Sequence, residues 1–248
     1  MNPAALWLSP PDQVLLGALD IHVWRLSLVQ PGEIVAALGR LLSADETERA
    51  RRFHFDKDRR QFIVARGTLR RLIGRYLEAT PESIRFTYQE YGKPHLVDSL
   101  YPTLKFNLAH SGSLAVFAFT RLGEIGVDLE QIKPELAGED IARRFFSEGE
   151  VASLDALAES ERALAFFNCW TRKEAFIKAK GLGLSLPLDQ FDVSLIPGHE
   201  PRLLRTAWDE DEAERWSIRA LDVAEDYVGA LAIEAHDWQL SCWDHKFG

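Results

Sequence analysis

The stretch IGVDLEQIKP, residues 125–134, places two carboxylates, Asp128 and Glu130, either side of Leu129. Ile125 and Val127 before them give the alternation of a strand, which puts both acids on one face. Like charges this close repel each other and lose hydration when partly covered. Some positive group must offset that cost. A second stretch, WTRKEAFIKAKG, spaces Trp170, Glu174 and Lys178 by four, so the three share one helical stripe. A bland reading of Glu174 and Lys178 is a solvated surface pair. However, Trp170, with Phe166 and Phe167 a turn earlier, argues that the stripe is partly covered. A third carboxylate there would let Asp128, Glu130 and Glu174 surround one cation. Oxygen donors without His or Cys suit Mg²⁺, which binds few carboxylates together with substrate phosphates.

Two further stretches supply cations. In KFNLAHSGSL, His110 ends an apolar strand and precedes the turn residues Ser111 and Gly112. In QEYGKPHL, Gly92-Lys93-Pro94 makes a rigid turn that presents one lysine. Three carboxylates for a divalent cation, with Lys93, Lys178 and His110 for phosphate oxygens, equip a Mg²⁺-dependent enzyme acting on a phosphate-rich ligand.

The elements that position these groups follow from periodicity. Residues 21–28 read as a strand, and residues 33–42 as a helix. Ser43 to Glu46 forms a capping box, and residues 58–77 carry apolar side chains at helical spacing. Strands are expected from Ile84, Thr103 and Leu114. After Gly123 the order restarts: a strand at 124–130, a helix at 139–146, a capping box at Ser147 to Glu150, and a long helix at 161–180 closed by Gly181. Strands are then expected from Phe191, Trp216 and Tyr227. Ile21 and Glu124 stand 103 positions apart, and Ser43 and Ser147 104 apart. The repeat predicts an α+β fold: a pseudodimer of two similar subdomains, residues 1–122 and 123–248, each with helices packed on a small, mainly antiparallel sheet. A site between the halves is a common place for a ligand.

The 248 residues are 46% apolar and 27% charged, as in a globular protein that needs no membrane. No signal peptide is legible at the N-terminus, and the longest apolar runs are strand-length. Two cysteines, Cys169 and Cys242, read as reduced thiols of a cytoplasmic protein. A net charge of −9 argues against general nucleic-acid binding, yet residues 40–75 carry eleven Lys/Arg against five acids. That segment would attract an anionic ligand or an acidic partner.

Together the four motif stretches resemble the Sfp-type 4′-phosphopantetheinyl transferases. The family shows a Gly-Lys-Pro turn, a Phe-Asn-x-Ser-His-Ser stretch, a Gly-(Ile/Val)-Asp-x-Glu strand and a Trp-x-x-Lys-Glu-Ala-x-x-Lys helix, in that order. Here they are Gly92 to Pro94, Phe106 to Ser111, Gly126 to Glu130, and Trp170 to Lys178. The resemblance spans residues 43–195. It implies transfer of the phosphopantetheine arm of coenzyme A to a serine of an apo carrier protein, releasing adenosine 3′,5′-bisphosphate, by a monomer whose two halves enclose the site. It also implies roles. Asp128, Glu130 and Glu174 resemble the Mg²⁺ ligands, and Glu174 also the base for the carrier serine. Lys178 resembles the residue that meets the pyrophosphate and protonates the leaving group. His110 looks like the phosphate-contacting histidine, with Arg49, Lys93, Pro94 and Ser111 also toward coenzyme A. Two positions depart from the pattern: Ala109 stands where the family usually has Ser, and Glu46 where relatives are often basic. Rival readings are a Mg²⁺-dependent nucleotide phosphohydrolase and an inactive coenzyme A or carrier-protein binding module. Relief of the acid–acid repulsion predicts that Asp128→Ala keeps or gains stability.

Overall fold

The computed structural model describes residues 7–88, 92–97, 104–137 and 139–247. In chain order, β1 (Trp7–Leu8) and β2 (Asp20–Ser27) lead to α1 (Gly32–Gly39), α2 (Ala44–Arg51) and α3 (Asp56–Leu77). The strands β3 (Phe86–Tyr88), β4 (Pro94–Leu96), β5 (Lys105–Ser111) and β6 (Leu114–Thr120) complete the first half. The second half begins with β7 (Ile125–Gln131), α4 (Glu139–Phe145), α5 (Glu148–Asp155) and α6 (Glu159–Lys180). It continues through β8 (Phe191–Val193), β9 (Leu203–Thr206), α7 (Glu212–Arg215), β10 (Ser217–Leu221), β11 (Tyr227–Ile233) and β12 (Gln239–Asp244). Gln89, in the strand expected from Ile84, and Thr103, the expected start of another, lie outside the described residues.

The repeat is visible in the sheets. Beside the two-stranded pairs β3-β4 and β8-β9, a five-stranded sheet runs β1-β12-β2-β6-β5 and a three-stranded sheet β10-β11-β7, so β2-β6-β5 and β7-β11-β10 follow the same antiparallel order. Alternation sorts each first strand between two layers. Ile21 and Val23 of β2, with Ile125, Val127 and Leu129 of β7, build an apolar layer between the sheets. Trp24 and Leu26 point instead to α1 and α3, whose Leu38, Leu69 and Leu72 share their cluster. The opposite cluster joins Phe166, Phe176 and Ile177 of α6 to Val228 and Ala230 of β11. Cys169 and Cys242 are buried and unbridged. Among the described residues no helix is long and apolar enough to cross a membrane.

The last strand leaves the second half. β12 pairs parallel with β2, Trp243 opposite Trp24, and β1 pairs parallel with β12. The free edge of β2 needs a partner for its backbone groups, and the tail supplies one. Trp243 then enters the first-half core and Cys242 the layer between the sheets.

Both capping boxes form, and each does a second job. Glu46 accepts from the Ser43 backbone N–H at 3.0 Å, and its carboxylate meets Arg70 at 2.7 Å and Arg66 at 3.6 Å. Glu150 accepts from the Ser147 N–H at 2.9 Å and meets Lys173 at 2.8 Å. In each half a buried acid thus fastens the short capped helix to the long one.

Candidate active site

Gly126 allows the site to exist. A Cβ at that position would lie 1.9 Å from the Ala175 carbonyl oxygen and 2.4 Å from the Ala179 nitrogen. With only hydrogen there, α6 descends onto β7 until its Glu174–Lys178 turn stands over Asp128. The Lys178 ammonium meets Asp128 Oδ1 at 2.6 Å. This lysine is the positive group that offsets the acid pair.

The three expected metal-binding acids differ in environment. Asp128 is buried, which lifts its carboxyl above the usual range despite the neighbouring Lys178. Burial alone would lower Lys178, but Asp128 outweighs it and holds the ammonium more firmly than usual. Glu130 is raised by burial, against the pull of a 2.7 Å hydrogen bond from Ser111 Oγ, with the Asp128 charge adding to the rise. Burial first, then the Asp128 charge, pushes Glu174 up to about 7. Among the described residues no three His, Cys, Asp or Glu side chains are already grouped to hold a metal. Asp128 faces Lys178 and Glu130 faces Ser111. Yet Asp128 Oδ2 is buried without a hydrogen-bond partner among the described residues. An orphaned carboxylate oxygen, close enough to two further acids to shift their titration, fits a hard divalent cation in its donor chemistry.

β5 brings the first half against this face. Asn107 Oδ1 accepts from the Val127 N–H at 2.9 Å, and Ser111 Oγ accepts from the Gln131 N–H at 3.1 Å. Two side chains of β5 therefore take the place of a backbone ladder along β7. This gives Ser111 a structural post beside Glu130. Ala109 packs in the layer between the sheets and also lines the cavity beside His110, to which it brings no hydroxyl.

His110 falls on the other parity and opens to a cavity of about 440 Å³. The same cavity is lined by Glu174, Lys178, Lys93, Pro94 and Arg49. Burial, then the Lys178 charge, lowers His110, so its imidazole is neutral near pH 7. Gly92, at φ +79°, turns the chain so that Lys93 reaches Glu124 Oε2 at 3.2 Å and the Ile125 carbonyl at 3.3 Å. Burial lowers Lys93, and Glu124 restores part of that loss. Arg49 lies over the Phe62 ring, 5.4 Å from its centroid.

Residues that the motif reading did not name also line this cavity. Arg66 stands 5.2 Å from the Phe86 ring and keeps a buried, unpartnered Nη1. Its signal was the i, i+4 pair Arg66 and Arg70 facing Glu46. Glu46 is thereby a buried anchor for two arginines, not a missing phosphate cation. The basic segment 40–75 does not form one surface. Arg49 and Arg66 open to this cavity, Arg70 is buried on Glu46, and Arg71 and Arg75 line a different cavity.

Residues 124–232 match the family model described as the 4′-phosphopantetheinyl transferase superfamily. Residues 30–121 match the model described as 4′-phosphopantetheinyl transferase, N-terminal. The chain is 37% identical to the 4′-phosphopantetheinyl transferase HetI of Nostoc sp. across 96% of this chain and 98% of that one. It is 34% identical to a putative 4′-phosphopantetheinyl transferase of Synechocystis sp., covering 79% and 78% of the two chains. To the 4′-phosphopantetheinyl transferase Sfp of Bacillus subtilis it is 40% identical, over 62% and 66%. On two matching models and near full-length similarity, this chain belongs to the Sfp-type 4′-phosphopantetheinyl transferase family.

Proposed function

We propose that the cavity between the halves takes coenzyme A, and that the enzyme moves its phosphopantetheine arm to a serine of an apo carrier protein. The observation that carries this reading is the convergence of Glu174, Lys178, His110 and Lys93 on one cavity, with Asp128 fixed beneath Lys178. Residues 1–122 contribute the nucleotide-facing side through Arg49, Lys93, Pro94 and His110. Residues 123–248 contribute the acids.

Asp128, Glu130 and Glu174 would hold Mg²⁺, which supplies charge neutralisation at the pyrophosphate. Glu174, which lines the cavity, accepts the serine proton, directly or through one water. The serine oxygen bonds to the phosphorus that carries the arm. The bond from that phosphorus to the bridging oxygen of the pyrophosphate breaks, leaving adenosine 3′,5′-bisphosphate. Lys178, held as an ammonium, lies on the side of the acids and protonates the departing oxygen. Neutral His110 donates a hydrogen bond to a phosphate oxygen without adding charge. Arg49, which lines the cavity, and the exposed Arg51 and Arg52 that follow it in the chain suit the acidic surroundings of a carrier serine. We assign this activity to a cytoplasmic monomer.

The test is to incubate the protein with coenzyme A, Mg²⁺ and an apo acyl, peptidyl or aryl carrier, then weigh the carrier. The expected result is a mass gain of one phosphopantetheine arm that EDTA abolishes. Release of nucleotide with no gain on any carrier would favour a phosphohydrolase instead.

A further inference from the structure

The catalytic face of the second half has a counterpart in the first, and that counterpart borders an open cavity. Helices α3 and α6 are both 22 residues long and correspond with a shift of 103 positions at each end. Their C-caps, Glu78 and Gly181, both adopt left-handed backbone, at φ 51° and 73°. β2 and β7 correspond with a shift of 104. Gly126 lies under Ala179 of α6, and His22 meets the hydroxyl of Tyr76, the residue equivalent to Ala179, at 3.0 Å.

On this correspondence Asp128 becomes Trp24, Glu174 becomes Arg71 and Lys178 becomes Arg75. The contact survives while its chemistry changes: Lys178 sits on the Asp128 carboxylate, and Arg75 sits 5.4 Å above the Trp24 ring. The flanking strand is matched too. β5 runs beside β7 and ends near His110, whereas β12 runs beside β2 and leads into His245, whose N–H donates to the Arg25 carbonyl at 2.9 Å. The His245 ring lies 6.0 Å from that of Trp24.

This second cavity, of about 710 Å³, is lined by Arg71, Arg75, Lys246, His245 and, as its one acid, Glu78. His245 Nε2 is buried and has no hydrogen-bond partner among the described residues. Burial, then Arg71 and Arg75, lowers its imidazole to about 4, so the ring adds no charge of its own. Arg75 is held in place by the carbonyls of Pro11 and Asp12, both at 3.2 Å, and Arg71 by the Phe247 ring at 5.5 Å. Where the catalytic face has carboxylates that call for a cation, this face has two fixed guanidinium groups. An anion there meets positive charge directly.

We propose that this cavity is a second, metal-independent site for a small phosphate-bearing anion, with Arg71, Arg75 and Lys246 meeting its oxygens and the His245 ring forming part of its wall. It is separate from the coenzyme A cavity and shares no lining residue with it.

The test uses the full chain in EDTA, titrated with inorganic pyrophosphate while the His245 imidazole is followed by nuclear magnetic resonance. The His245 signals should move and saturate. In the double variant Arg71→Gln with Lys246→Gln, both exposed positions, affinity should fall about tenfold, as expected for lost charge-assisted contacts. Carrier modification by that variant should stay at the wild-type rate, which separates this site from the catalytic one. Adenosine 3′,5′-bisphosphate serves as a second probe, and tighter binding than pyrophosphate would identify a nucleotide ligand of the same class. His245 signals that stay fixed, that move equally in the variant, or that respond equally to sulfate would overturn the proposal.

Discussion

The two halves share a scaffold and differ in one face. In both, a buried glutamate at the third position of a capped helix anchors a cation of the long helix: Glu46 with Arg70, and Glu150 with Lys173. In both, three strands follow the same order against that helix. The difference lies at three equivalent positions, where the second half has Asp128, Glu174 and Lys178 and the first has Trp24, Arg71 and Arg75. Repeated anchors set the fold, and the unrepeated polar groups set the chemistry.

That comparison can be broken at its strongest point. Asp128→Asn should cut carrier modification by about a thousandfold or more, the scale of losing a principal electrostatic group. Trp24→Phe, at the equivalent position, should leave the rate unchanged. Equal losses in the two variants would mean that the halves are not chemically distinct.

The anchors should dominate stability. Glu150→Ala removes the counter-charge of Lys173, whose side chain is 0% exposed and keeps only the Leu188 and Phe191 carbonyls, and should cost about 3–5 kcal/mol in urea unfolding. Glu46→Ala should cost less: Arg70 and Lys173 each keep two backbone carbonyls, but Glu150 also accepts from the buried Val193 N–H at 2.8 Å, which its loss leaves unpaired. A reversal of that order would sink the account of the two anchors.

A third substitution tests the approach of α6 to β7. Gly126→Ala drives a methyl into helix backbone and should cost about 1–3 kcal/mol as overpacking, with loss of activity as Glu174 and Lys178 move off Asp128. The equivalent His22 already carries a side chain, so His22→Ala tests packing alone and should spare activity.

The smallest expected effect is in pH. Glu174 is raised by folding from 4.5 to about 7, so the fold binds its proton more tightly than the unfolded chain does. In EDTA its contribution to stability should be present below about pH 4.5 and be lost as pH rises through 7. Glu174→Gln should flatten that slope in thermal unfolding, and an unchanged slope would contradict the assigned environment.

Much of this was legible in the residues. Capping boxes, apolar periodicity and the 103–104 shift gave the two α+β halves, because local rules set those elements. The parity of Asp128 and Glu130 gave their shared face. Other features depend on contacts across the chain. β12 could not be placed from its own sequence, since its apolar alternation fits either sheet. The repulsion between Asp128 and Glu130 suggested that removing Asp128 would stabilise the fold. The 2.6 Å contact with Lys178 reverses that expectation. Asp128→Ala leaves a lysine short of its counter-charge and should destabilise. That the Ser111 hydroxyl accepts from the Gln131 N–H is visible only once β5 and β7 are side by side. Arg66 was hidden among eleven cations, and only Glu46 on a separate helix distinguishes it.

The central claim is that the acids of the second half hold the metal. Calorimetric titration of Mg²⁺ into the protein with coenzyme A present tests it, comparing wild type with Asp128→Asn. A saturable Mg²⁺ site in the wild type that the variant loses is the predicted result. Equal Mg²⁺ affinity in both proteins would contradict it.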